Sequence, residues 1–164
     1  GNRSTLVDAD LSGLIVGLRL TTTPEEIYRA LLESTAFGAR MIIENFEEHG
    51  VPVNEIRIAG GLLKNPFLMQ MYADVTKRPL RTARTLQAGA HGSAIFAALA
   101  AGIYSDVEEA CASMAGISDE VYMPNEEASA IYDRMFAMYA HLYNTLGRDP
   151  KFMHDLHELR VEQM

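Results

Sequence analysis

A glycine pair and a side-chain amide mark the place in this sequence where chemistry could sit. The stretch "IRIAGGLLKNPF" runs from an alternating apolar segment into Gly60-Gly61 and on to Asn65-Pro66. Glycines let a phosphate- or sugar-bearing ligand approach the backbone, and a helix start behind them turns N–H groups toward it. A strand-to-helix turn also needs glycine wherever φ is positive. Asn65 is equally double-sided. Asn is a strong N-cap and Pro66 suits the first helical position, yet the amide also carries donors for a ligand. Local chemistry leaves both readings open. Neither G-x-G-x-x-G nor G-x-x-x-x-G-K-[ST] occurs, which disfavours dinucleotide-binding and P-loop folds.

Other reactive side chains form no constellation. His49, His91, His141, His154 and His157 are dispersed, and no G-x-S-x-G gives the serines meaning. His154 and His157 share a helix face, but two ligands make no metal site, so no metal is assigned. Lys64, Lys77 and Arg78 read as solvated or dipole-compensating charges. Tyr132, Phe136, Tyr139 and Tyr143 recur at helical spacing and read as a packed helix face. No catalytic residue is assigned.

With 164 residues, 48% of them apolar and 22% charged, the chain has a globular composition. No run approaches the roughly 18 apolar residues that span a bilayer, and "GNRSTLVDAD" lacks signal-peptide features. One cysteine, Cys111, forms no internal disulfide, which fits a reducing cytoplasm. A formal charge of −8 with scattered basic residues argues against nucleic acid as a partner. The chain opens on Gly1 in an extended polar stretch and reads as a piece of something longer.

The elements that must position the glycine turn are well signalled. Thr23, Pro24 and Glu26 form a capping-box start for a helix of about 26 residues, which Gly50 and Pro52 stop. Its small middle, "STAFGA", predicts a central, heavily packed helix. "EIRIAGG" reads as a strand, Asn65-Pro66 opens a helix that Pro79 closes, and "LRTA" is a second strand. This βαβ unit favours parallel strands. "AGAHGSAIFAALAAG" predicts a helix against the sheet, "SDVEEACASMAG" a shorter one, a long one follows "YMPNEEAS", and "RDPKFMHDLHELR" is a last one. Two strands alone do not make a stable sheet, so an upstream portion or another copy is expected to complete it, the latter as a homo-oligomer.

The segment from Gly13 to Glu33 resembles a pattern of the FGGY carbohydrate kinases. Gly13, Ile15, Gly17-Leu18, Glu26-Ile27, Ala30-Leu31-Leu32 and Glu33 meet it throughout. "GNRS", "DADLSGLIVGL", "IENFEEHGVPVNEIRIAGG", "NPFLMQMYADVTKRP" and "GSAIFAALAAG" extend the likeness over most of residues 1 to 150. The resemblance implies an α/β fold: an incomplete actin-like or ribonuclease H-like ATPase domain, helix-rich with a short parallel sheet. Residues 1–147 would be the nucleotide-binding part and 148–164 a helical tail. The family transfers the γ-phosphoryl of Mg-ATP to a sugar hydroxyl, and the branch most similar acts on L-ribulose at carbon 5. Carried over, Gly60, Gly61 and Asn65 would face the adenosine. The sugar, the catalytic Asp and two phosphate-binding turns would belong to a part upstream of Gly1, leaving this chain inactive alone. The spacing from the glycine pair to Asn65 is that of glycerol-phosphorylating members. Two alternatives stand beside this reading: a sibling kinase for xylulose, glycerol or another polyol, and a non-catalytic helix-rich interaction module.

Overall fold

The computed structural model describes residues 2–149 and 151–162. In chain order the elements are α1 (Pro24–Glu48), β1 (Ile56–Ile58), α2 (Pro66–Thr76), β2 (Leu80–Ala83), α3 (Ala88–Ala100), α4 (Val107–Met114), β3 (Ile117–Tyr122), α5 (Glu126–Tyr143) and α6 (Lys151–Val161). They fall into two compact units, one made of residues up to Pro52 and from Glu127 onward, the other of Val53–Glu126. Among the described residues no helix is long and apolar enough to cross a membrane.

Val53–Glu126 is built around a three-stranded sheet in the order β1-β2-β3. β1 and β2 pair in parallel, Ile56 opposite Leu80 and Ile58 opposite Thr82, as the βαβ reading expects. The sheet is mixed: β3 adds to β2 antiparallel, Leu80 opposite Tyr122, with an irregularity between Arg81 and Ala83. "ISDEVY" hides this strand from sequence reading because Ser118, Asp119 and Glu120 break any apolar alternation.

The crossover α2 packs on β2 and β3 and buries seven of its eleven residues, among them Leu68, Met69, Met71, Ala73 and Val75. Its one buried acid, Asp74, accepts from Gln70 Nε2 and from the Asn125 N–H before α5, both at 2.8 Å. The helix stops on Lys77 in the left-handed region (φ 58°), whose N–H reaches Ala73 O at 2.9 Å. Arg78 donates to the Val53, Thr76 and Lys77 carbonyls, the dipole-compensating place expected of a cation there. α3 departs from expectation. It packs on α4, and Ile95 is its one buried residue. His91 belongs to that packing, its Nε2 donating to the Met114 carbonyl at 2.8 Å.

In the other unit α1 opens with the expected capping box: Glu26 N–H donates to Thr23 Oγ1 at 3.3 Å, and Thr23 N–H to Glu26 Oε2 at 2.8 Å. Its packing is confined to the middle, where Glu33, Ala36 and Phe37 are buried, while Tyr28, Leu31 and Phe46 stay exposed. Phe37 holds the centre of an aromatic cluster, its ring 6.1 Å from Tyr132, 6.0 Å from Phe136 and 5.4 Å from Tyr139. The aromatic series on α5 is thus a packed face. Burial pushes the Tyr132 phenol above its ordinary pKa, so it stays protonated and donates to the buried Glu33, which also receives Arg29 Nε at 2.9 Å. Arg40 lies over the Phe136 ring at 4.1 Å and bridges Glu44 and Asp133.

This cluster sets a stability prediction. Phe37→Ala is expected to lower the unfolding free energy by about 3–5 kcal/mol. The half-exposed Phe46→Ala should change it by under about 1 kcal/mol. Urea midpoints at unchanged slope check both values.

Candidate functional site

Parallel pairing places the loops that follow β1 and β2 at one end of the sheet, where open α/β sheets collect their ligands. The first of these loops is the glycine turn. Gly60 sits at φ 104°, ψ −166°, a region essentially closed to residues with a Cβ. The chain then makes a tight 3-10 turn over Gly61–Lys64, with Leu63 N–H on Gly60 O at 3.3 Å and Asn65 N–H on Leu62 O at 3.1 Å.

Gly61 differs from its neighbour. Its backbone lies outside the left-handed region, and a Cβ added there meets nothing within 4 Å. Neither backbone conformation nor packing within the described chain asks for glycine at this position. What its hydrogen leaves is bare, exposed main chain.

Asn65 joins the 3-10 turn to α2. Its Oδ1 accepts from Leu68 N–H at 3.2 Å and caps the helix, and its own carbonyl accepts from Met69 N–H at 3.2 Å. The side chain is exposed, and Nδ2 makes no protein hydrogen bond among the described residues. The capping oxygen fixes the amide, so its two donors are oriented at no further cost.

Sequence reasoning passed over Leu62 and Phe67, which flank this turn and are both about half exposed, 54% and 55%. The available signal was their position: apolar side chains in a short turn and at the start of a helix have no core-facing periodicity to satisfy. Bare main chain, an amide with unused donors and two apolar side chains together suit a ligand that is part polar and part flat and apolar. Charge is sparse, Lys64 being the exposed cation of the turn. At the opposite end of β1, Glu55 accepts from Arg57 Nε at 2.8 Å and Arg81 Nε at 3.0 Å. Those bonds, Arg57 first, hold its carboxyl below the usual range.

The family model described as "FGGY family of carbohydrate kinases, C-terminal domain" matches residues 1–101. The chain belongs to this family. It is 51% identical to the ribulokinase of Bacillus licheniformis over 165 aligned residues, 98% of this chain and 30% of that protein. It is 51% identical to the ribulokinase of Mycolicibacterium smegmatis over 160, with 98% and 28% covered. The chain therefore spans about three tenths of the length of these curated relatives. Among solved structures it superimposes on ligand-bound xylulose kinase from Lactobacillus acidophilus with a TM-score of 0.77 and 29% identity, covering 93% of this chain and 31% of the other. Gluconate kinase from the same organism gives a TM-score of 0.76, also at 29% identity and over 93% and 31%. A helix-rich chain with a short mixed sheet is thus an FGGY kinase fold.

The two glycines predict effects of opposite sign. Gly60→Ala is expected to cost about 1–3 kcal/mol of stability through forced positive φ. Gly61→Ala should leave stability unchanged or raise it by about 0.4–1 kcal/mol by restricting the unfolded chain. Denaturant unfolding of both variants checks the pair.

Proposed function

We propose that this chain forms the adenosine-binding side of an ATP-dependent sugar kinase that phosphorylates L-ribulose at carbon 5. One juxtaposition supports the nucleotide part: the exposed main chain of Gly61, which the described fold does not require to be glycine, lies in the same turn as the Asn65 amide with its unused donors. In this reading Gly60 shapes the turn, Gly61 admits the nucleoside, and the Asn65 amide donates to it while its oxygen caps α2. Leu62 and Phe67 exclude water beside it.

ATP, with Mg2+ on its phosphates, supplies the phosphoryl group. Transfer depends on positioning and on charge stabilisation from both sides of a cleft, and residues outside these 164 supply the sugar site and the catalytic base. Residues 1–147 act as the nucleotide-binding part and 148–164 as a helical tail, in a cytoplasmic enzyme that can self-associate. The likeness to ribulokinases over nearly the whole chain supports L-ribulose as the acceptor. The likeness in fold to xylulose and gluconate kinases makes those sugars the comparison to run.

The test uses a protein of the relatives' length that contains these residues. Asn65→Asp keeps the capping oxygen, so stability should hold to within about 0.5 kcal/mol. Loss of the amide donors and gain of a negative charge should weaken ATP binding about tenfold or more. Unchanged nucleotide affinity would reduce Asn65 to a helix cap. Sugar-dependent ADP release should be fastest with L-ribulose, against xylulose, gluconate and glycerol. The 164-residue chain alone should release no ADP with any of them.

A further inference from the structure

The helix α6 faces the first residues of the chain through four side chains that can each ligate a metal. His154 Nε2 lies 2.8 Å from Asp8 Oδ2, and His157 Nε2 lies 3.7 Å from Asp10 Oδ1. The donor atoms of Asp8, Asp10 and His154 all fall within 4.8 Å of one another. This set differs from an acidic surface patch. It combines two imidazoles three residues apart on one helix with two carboxylates two residues apart on a separate segment. Sequence spacing showed the histidines alone, and folding supplies the other two donors.

The carboxylates are held in place. Asp8 exchanges backbone hydrogen bonds with Asn2 at 2.6 and 2.8 Å, and Asp10 N–H donates to Asp8 Oδ1 at 2.9 Å. That bond occupies one oxygen of Asp8 and turns the other toward His154, as outer-shell bonds do for metal-binding carboxylates.

We propose that Asp8, Asp10, His154 and His157 form a binding site for a divalent transition ion of the zinc type. Zinc takes nitrogen and oxygen donors at about 2.0–2.2 Å in a tetrahedron, which puts neighbouring donors roughly 3.3 Å apart. The observed 2.8 and 3.7 Å separations straddle that value. Asp8, Asp10 and His154 already form a set within 4.8 Å of one another, and His157, 3.7 Å from Asp10 and outside that set, must turn inward to supply the fourth donor. Two carboxylates neutralise the dication. The nearby Arg160 guanidinium is tied to Ser12 Oγ at 3.0 Å and opposes the ion's charge, which favours a micromolar site over a tighter one. Magnesium prefers all-oxygen shells with retained water, so this site is separate from the ion that accompanies ATP. Bound metal would fasten the start of the chain to α6 and stabilise the fold by mass action.

The test takes the 164-residue chain, stripped with chelator, and titrates ZnCl2 by calorimetry and thermal unfolding. One equivalent should bind, the melting temperature should rise, and MgCl2 at equal concentration should do neither. The double variant H154N/H157N should lose at least about tenfold in zinc affinity. If that variant fails to fold, CoCl2 added to the unsubstituted chain decides. Intense visible bands of tetrahedral cobalt, with metal protection of His154 and His157 from diethyl pyrocarbonate, support the site. Absence of zinc binding overturns it, as does binding that survives the double substitution or that protects His49, His91 or His141 instead.

Discussion

Parallel strands cannot be joined by a tight turn, and that constraint organises Val53–Glu126. To bring Leu80 alongside Ile56, the chain must cross over the sheet through α2. A crossover helix lying on the sheet has to be apolar on more than one side, which is why Leu68, Met69, Met71, Ala73 and Val75 are all buried. It must also start abruptly after β1, and Gly60 with its positive φ makes that reversal. The glycine turn is thus a by-product of parallel pairing before it is anything for a ligand. Because both parallel strands end on the same side, its exposed main chain lies at the end of the sheet where open α/β sheets collect ligands.

The other unit answers a different problem, how helices of modest apolar content find a unique register. Phe37 meets three rings of α5, and beside it a buried carboxylate, Glu33, accepts from Tyr132 and Arg29. A buried acid tolerates few arrangements, since losing Arg29 leaves its charge unpaired and losing Tyr132 leaves it with one hydrogen bond fewer. The aromatic face supplies the area, and the polar contacts select which turn of α1 meets which turn of α5. In the same unit the apolar residues Leu14, Ile15, Val16, Leu18 and Leu20 remain half or more exposed, within the stretch that carries the family pattern.

Much of this was legible from local rules. The Thr23 capping box, the Asn65 cap with Pro66 behind it, and the aromatic stripe on α5 each depend on residues within a few positions of one another, and each is present in the fold. What escaped depends on distance or on conformation. β3 is defined by its partner β2, and its own Ser-Asp-Glu centre gives no alternation. α3 is apolar enough to suit a sheet, yet it lies on α4, because apolar content says how much to bury and not against what. In the candidate site the positions of Gly60, Gly61 and Asn65 followed from the sequence. The unequal backbones of two identical residues did not, and neither did the spare donors of Asn65.

That inequality has a consequence for how the turn would change over generations. Gly60 answers to folding, whereas nothing within the described fold holds Gly61 to glycine. A lineage selected for folding alone would still be held to glycine at the first position by the Ramachandran map. At the second it would be free to drift toward alanine or serine, since any side chain there points into open space. Adjacent letters that look like one motif are therefore constrained separately, the first by backbone conformation and the second by nothing within the described fold.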